Sequence, residues 1–373
     1  MESMENQKSS KAQSICAPQE FSSTFAKIFS EPGAANLMAQ MIAFAPVVFQ
    51  VAKCLRDFKI LAILGERSHT FDELKNKSDL SEYGLSLLLD SGESAGIVKK
   101  ENGEWSTTLI GQMIQSDPLT NVNMNFTHDV CYQALFNLDE AIQTGKPSGL
   151  KVFGDWDTVY SGLTQLPPNV LKSWLEFDHF FSDDAFNAAL RVLFTMNPKR
   201  VLDVGGNTGK FSVACTKFNK DVNVTILDHP NQVKLALANA AKNNVADRIT
   251  AQGMNLLDHT QAFPKGYDII WMSQFLDCFS EDDILQLMLR AKAAMNENTR
   301  FVIMEPFTDN QRHEVSKFVL DMTSPYFTAV ANGNSRMYPI ATFYKLIEKA
   351  GLVIEEEYRV RLSQSILKIR LAH

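Results

Sequence analysis

From Pro198 onward, short apolar runs alternate with amphipathic stretches, whereas the residues before it carry few strand patterns and many helical ones. In the second half Arg200–Val204, Val222–Leu227, Tyr267–Met272 and Arg300–Met304 have the composition of buried strands, with helical spacing between them. That alternation predicts a mainly parallel sheet with helices on both faces, an α/β domain. Ser280 with Asp283 three residues later predicts a helix start, after which Ile284, Leu287, Met288, Ala291 and Met295 share one face. Leu352–Val360 and Ser363–Leu371 follow each other almost directly, which predicts an antiparallel hairpin closing one sheet edge.

In the first half, Val51–Leu64 carries apolar residues at helical spacing, and Thr70 with Glu73 has the form of a capping box. A second helix is predicted over Ser81–Ala95, stopped at Gly96. Ile97–Lys100 and Glu104–Thr107 then flank Glu101-Asn102-Gly103, a strand-turn-strand signal. Helix, helix, hairpin is the winged-helix pattern. Its would-be recognition stretch, Leu80–Gly96, has no Lys or Arg but holds Glu82, Asp90 and Glu93, a surface that repels phosphate. The formal charge of -7 points the same way. A packing or dimerisation role is therefore expected, with no nucleic-acid partner.

With 373 residues, two domains are expected: a loose polar tail over 1–20, a helical domain over 21–185 and the α/β domain over 186–373. The apolar stretch Leu37–Val51 is broken by Gln40, Pro46 and Gln50 and is too short to span a bilayer. The five cysteines form no CxxC pair, and no His/Cys/Asp cluster has metal-ligand spacing, so no metal is expected. The polar N-terminus has no apolar signal core, and a cytoplasmic location is expected.

The most informative stretch is Val201-Leu202-Asp203-Val204-Gly205-Gly206-Asn207-Thr208-Gly209, a strand ending in an acid, then a glycine turn, then a helix. Glycines there let backbone approach a ligand closely. A dinucleotide site would prefer GxGxxG. A carboxylate two residues before the first glycine suits a cationic ligand better than a phosphate, as at the methionine end of S-adenosylmethionine. Asp228 ends the next strand, where it can accept both hydroxyls of a ribose.

These residues, with Asp228-His229-Pro230, Met304-Glu305-Pro306 and the N-terminal winged-helix pattern, resemble the plant-type small-molecule O-methyltransferases and their bacterial relatives. The resemblance covers about residues 35–371 and is most specific in the second half. It implies a Rossmann-like class I methyltransferase domain that uses S-adenosylmethionine, and a helical N-terminal domain that forms an intertwined homodimer and roofs the partner's site. It implies cofactor-binding roles for Asp203, Gly205, Gly206, Asn207, Gly209 and Asp228. Asn255 stands where the family usually has an adenine-binding Asp, Leu256 is its apolar neighbour, and Ser273 stands where many members have Lys.

The catalytic pattern departs from the family, in which a His removes the phenolic proton and two acids orient it. Matching Ser280-Glu281-Asp282 to the family's Ser-Asp-Glu puts Asp277 at the His position, Glu305 at the first acid and Ser335 at the second. An unperturbed Asp, with pKa about 3.9, is a weak base beside an imidazole near 6.5. Burial beside Glu305 would raise it, because two close carboxylates resist double ionisation. His128, in a region resembling the family's substrate roof, is the alternative base. Tyr132, Gln133, Phe136, His179, Phe180, Phe327 and Asn332 are candidates for the wall of an acceptor pocket.

The expected function is methyl transfer from S-adenosylmethionine to a small aromatic, hydroxylated acceptor. Two alternatives stand beside it. One is methylation at ring carbon, as aryl-polyene-type pigment synthesis would require, since a phenol activates its own ortho carbon. The other is a non-catalytic cofactor-binding protein of the same fold.

Overall fold

A computed structural model describes residues 30–360 and 363–372, the side chains of residues 181–184 excepted; the proposed tail over 1–20 lies outside them. The helical half opens with α1 (Pro32–Ala43), α2 (Ala45–Asp57) and α3 (Ile60–Glu66). The periodicity predicts one helix over Val51–Leu64, but the chain breaks at Lys59, whose left-handed φ of 63° ends α2 and turns the path into α3. Next come β1 (His69–Thr70), α4 (Phe71–Lys77), α5 (Glu82–Ser94), β2 (Val98–Glu101) and β3 (Glu104–Thr107). The capping box forms: Thr70 Oγ1 accepts from the Glu73 amide at 3.3 Å, and Glu73 Oε2 accepts from the Thr70 amide at 2.9 Å. The hairpin gains β1 as a third strand in the order β1-β3-β2, a strand too short for alternation to reveal. Leu55, Leu61, Leu85, Leu89 and Trp105 fill the small core between these elements.

After α6 (Leu109–Ser116), α7 (Pro118–Phe126), α8 (Leu138–Thr144) and the single turn α9 (Val159–Gly162) comes α10 (Pro168–Leu193), a 26-residue helix. It runs unbroken across the 185/186 boundary and carries side chains into the core of each half. Trp174 packs with the helical half, and Ala185, Ala189 and Leu193 pack against the sheet.

The second half alternates as expected: β4 (Arg200–Val204), α11 (Lys210–Phe218), β5 (Asn223–Asp228), α12 (Pro230–Lys242), β6 (Ile249–Gly253), β7 (Ile269–Ser273), α13 (Glu281–Ala294), β8 (Arg300–Glu305), α14 (Glu314–Tyr326), α15 (Ile340–Lys349), β9 (Leu352–Val360) and β10 (Gln364–Leu371). They build a seven-stranded sheet in the order β6-β5-β4-β7-β8-β10-β9. The first five strands in this order are parallel, and β10 enters antiparallel between β8 and β9. Strand β6 escapes the sequence pattern because it is an edge strand, with only Ile249 fully buried. Alternation sends Leu202 and Val204 to one face of the sheet and Val201 to the other, where separate cores lie under the two helical layers. The fold is the Rossmann-like α/β domain with a mainly helical N-terminal domain. The strand order reverses between β4 and β7, so the carboxyl ends of these strands open a crevice there.

Among the described residues no single helix is long and apolar enough to cross a membrane; α1 and α2 pass such a test only as a pair, bent by 74°.

Candidate active site

A cavity of about 630 Å³ fills that crevice and extends under the helical half. Its floor is the turn after β4. Gly205, at φ 76°, donates its amide to the Leu227 carbonyl at 2.8 Å, and a Cβ there would sit 2.2 Å from the Phe275 ring. Only glycine fits this position, because backbone conformation and the aromatic ring exclude a side chain together. Gly206 and Asn207 also line the cavity, whereas Gly209 does not: at φ 74° it turns the chain into α11 and packs on Ala236.

Asp228 closes β5 and lines the cavity. Its Oδ2 accepts from the Asn207 amide at 2.7 Å and its Oδ1 from the His229 amide at 2.6 Å, while burial holds its pKa above the ordinary carboxylate range. Asp203 is a different kind of acid. It is buried at the end of β4, its Oδ2 accepts from Ser212 Oγ at 2.5 Å, and burial, with a smaller push from the charge of Asp228, raises its pKa to about 7. Asn255 and Leu256 follow β6 and line the same end, as does Ser273 at the end of β7.

Whether S-adenosylmethionine fits here can be judged from what the chain leaves unpaired. Asn207 Oδ1, Thr208 Oγ1, Gln232 Oε1, Ser273 Oγ and Gln274 Nε2 are all buried without a partner, and all belong to residues that line this cavity. Unpaired buried polar atoms are costly, so their gathering around one space suits a ligand with many donors and acceptors. Thr208, Gln232, Gln274 and Phe275 were not singled out by the sequence pattern. Gln274 held the clearest signal, a polar residue directly after a strand, and the backbone there adopts a left-handed φ of 46°.

The turn after β7 joins this end to the other. Phe275 lies against Gly205, and Asp277, two residues on, is 7% exposed and faces the cavity. Burial pushes its carboxyl up to about 6. Glu305, at the end of β8, does not line the cavity. Its Oε1 accepts from the backbone amides of Phe275 and Leu276 at 3.0 and 2.9 Å, so it holds the turn that presents Asp277. Burial and the neighbouring charge of Asp277 raise the Glu305 pKa well above the usual carboxylate range. Ser335 donates to Asn332 Oδ1 at 2.9 Å, and Asn332 Nδ2 donates to the Cys278 carbonyl at 2.5 Å. Ser335 and Asn332 thus brace the same turn.

Beyond Asp277 the wall becomes aromatic: Phe126, Tyr160, Trp174, Phe177, Tyr326 and Phe327 line it. Trp174 Nε1 donates to the Tyr326 hydroxyl at 2.6 Å, fixing two rings that lie 152 positions apart in the chain. Of the acceptor-pocket candidates, Phe327, Asn332 and His179 line the cavity, and His179 Nδ1 lies 3.6 Å from Asp178. Phe180 lines a separate open groove along α10 instead.

The region expected to roof the pocket does not enter this chain's own cavity. Tyr132 turns away to donate to the Pro46 carbonyl at 3.0 Å and stacks on Phe49, Gln133 is exposed, and Phe136 is 81% exposed. His128 Nδ1 pairs with Asp129 Oδ1 at 2.8 Å, away from the cavity. The short π-helical segment Thr127–Cys131 that follows α7 rotates these side chains relative to a continuous α-helix.

Comparison with known proteins finds two domain families along the chain. Residues 36–105 match the Dimerisation2-like domain family and residues 177–357 a methyltransferase domain family. The chain is 25% identical over 305 residues to an L-tyrosine C(3)-methyltransferase of Streptomyces lavendulae, covering 78% of this chain and 82% of the relative. It is 23% identical to a demethylspheroidene O-methyltransferase of Rhodobacter capsulatus, over 81% of this chain and 73% of the relative. Among solved structures, the apo form of the S-adenosylmethionine-dependent methyltransferase SibL superposes with a TM-score of 0.69 at 21% identity, over 89% of this chain and 98% of that one.

Proposed function

Because this chain belongs to the plant-type and bacterial small-molecule O-methyltransferase family and is an S-adenosylmethionine-dependent methyltransferase, we propose that it methylates a hydroxyl of a small aromatic acceptor, with Asp277 as the base. The observation that carries this reading is the turn over 275–278. One of its side chains packs on the cofactor-side glycine, and another offers a buried carboxylate to an aromatic-walled space. S-adenosylmethionine supplies a methyl group on a sulfonium centre when it is bound. Asn207, Asp228, Asn255, Leu256 and Ser273 are the residues proposed to hold it, with Gly205 and Gly206 giving it room and Asp203 buried beside the glycine turn.

At the acceptor end, Asp277 takes the phenolic proton as the O–C bond forms and the S–C bond breaks. A carboxyl with a pKa near 6 is a far better base than an exposed Asp, and ionised at neutral pH. Glu305 and Asn332 position it by fixing the turn from both sides. The Trp174–Tyr326 pair, Phe126 and Phe327 supply a flat apolar wall, while Asp277 supplies the polar point of recognition. We assign the chain to a homodimer. Helix α1 has no buried residue in the single chain and exposes Leu37 by 63% and Ile42 by 68%, with Phe44 and Val47 continuing the apolar surface.

A second reading is methylation at ring carbon. It is favoured by the carboxylate that stands where the family has imidazole, and by the relative named for C(3)-methylation of L-tyrosine. One experiment covers both: incubation with methyl-labelled S-adenosylmethionine and a panel of phenols, then mass spectrometry and NMR of the products. A methoxy signal supports oxygen transfer and an aryl-methyl signal supports the second reading. S-adenosylhomocysteine binding with no labelled product from any phenol would count against both.

A further inference from the structure

We infer that Asp178, together with Asn207, binds the ammonium group at the amino-acid end of the cofactor, the part that the family resemblance would leave to Asp203. The two acids differ in where they stand. Asp203 is 3% exposed and committed to Ser212 at 2.5 Å, and a Cβ on Gly206 would already crowd it at 2.9 Å. It touches the cavity from beside the glycine turn, with its Oδ2 held by Ser212. Asp178 comes from above, on α10, and lines the same cavity.

The link between Asp178 and the turn is the side chain of Asn207, whose Nδ2 donates to Asp178 Oδ2 at 3.3 Å. That bond fixes the amide's orientation and leaves Asn207 Oδ1 as a buried acceptor with no partner. An ammonium with three N–H groups can donate both to this unpaired amide oxygen and to the carboxylate beside it. The Asn207 backbone amide meanwhile donates to Asp228 at 2.7 Å. This one residue therefore stands between the proposed ribose acid and the proposed ammonium acid, at a left-handed φ of 48° that sets both directions. His179 Nδ1 lies 3.6 Å from the Asp178 carboxylate on the same helix. Because Asp178 belongs to α10, which packs with both halves, cofactor binding also ties the helical half to the sheet.

Calorimetric titration of the full chain with two ligands tests this. S-adenosylhomocysteine carries the ammonium, and 5′-methylthioadenosine keeps adenine and ribose but lacks the amino-acid end. Asp178→Asn should weaken S-adenosylhomocysteine about tenfold or more, the usual size of a lost charge-assisted pair, and leave 5′-methylthioadenosine within about twofold. Asn207→Gly, which accepts the left-handed backbone, should show a smaller loss with the same selectivity. Asp228→Asn serves as the control that weakens both ligands. The proposal is overturned by an equal loss for both ligands in Asp178→Asn, the mark of a structural role, or by a loss under about threefold for S-adenosylhomocysteine. Failure of the parent chain to bind S-adenosylhomocysteine would overturn it together with the cofactor assignment.

Discussion

At its cofactor end the cavity is walled by residues at or just beyond a strand terminus: Asp203 and Gly205 with β4, Asp228 with β5, Ser273 and Phe275 with β7. The end proposed for the acceptor is assembled instead from side chains on separate helices, Phe126 of α7, Tyr160 of α9, Trp174 of α10 and Tyr326 of α14. Strand termini are fixed by ladder hydrogen bonds, so a few residues of local sequence determine where a carboxylate or a glycine turn will stand. Helix-borne rings are fixed by contacts such as Trp174–Tyr326, which span 152 positions and leave no local trace. The same molecule thus holds one end that is nearly written in a short motif and another that exists only once the chain has folded.

The sharpest way to break this comparison is at the residue that joins the two ends. Asp277→Asn keeps the volume and the turn but cannot accept a proton, so turnover should fall by about 100- to 10,000-fold while S-adenosylhomocysteine affinity stays within about twofold. The parental pH profile gives an independent sign. The folded carboxyl, raised to about 6, must be ionised to act, so turnover should be lost as pH falls through about 6 and be flat above it. Single-turnover rates on an identified acceptor check both. Retention of more than about a tenth of parental turnover in Asp277→Asn would remove Asp277 as the base.

That prediction depends on a position the sequence reaches only through an alignment of flanking residues, which is where legibility ends. The parallel strands β4, β5, β7 and β8, the closing hairpin and the acids at two strand ends follow from alternation and spacing. The edge strand β6 and the break at Lys59 do not, because one lacks apolar alternation and the other is a single left-handed residue in a run of helical spacing. In the site, Asp203, Gly205 and Asp228 were legible because glycine and acid types are dictated by backbone approach and hydrogen bonding. Glu305 was read as an orienting acid by resemblance, and its contacts are with the backbone amides of the turn. Tyr160, Trp174 and Tyr326 were not legible, since aromatic residues at helical spacing look the same in a core and in a pocket.

A smaller effect, confined to the cofactor end, sharpens the contrast. Gly205→Ala adds a methyl 2.2 Å from the Phe275 ring at a φ of 76°, so the turn must shift away from its ligand. S-adenosylhomocysteine should bind about 100-fold more weakly, roughly 2.7 kcal/mol, by calorimetry. Gly209→Ala carries a similar backbone strain at φ 74°, but its position outside the cavity should lower thermal stability and leave affinity nearly unchanged. Equal loss of affinity in the two variants would mean that the turn acts as one structural unit, without a distinct contact at Gly205.

The smallest expected effect is at His128, and it decides whether the acceptor end is complete within one chain. His128 is held by Asp129 at 2.8 Å, and Asp129 in turn accepts from Ser173 Oγ at 2.6 Å, a chain of bonds that fastens the Thr127–Cys131 segment to α10. Its ring lies outside the cavity formed by its own chain, so His128→Ala should cost turnover less than about threefold, far below the loss of a general base. The proposed dimer is the one arrangement that could change this, by carrying the segment of one chain to the cavity of the other. Light scattering should give twice the 41.8 kDa chain mass at micromolar concentration, and a mass of 41.8 kDa would remove that route altogether. With a dimer present, a hundredfold loss in His128→Ala beside a mild Asp277→Asn would transfer the base from the strand-end turn to a roof supplied in trans. A mild His128→Ala beside a severe Asp277→Asn would mean that the roof shapes and dries the pocket while the proton moves through the turn after β7.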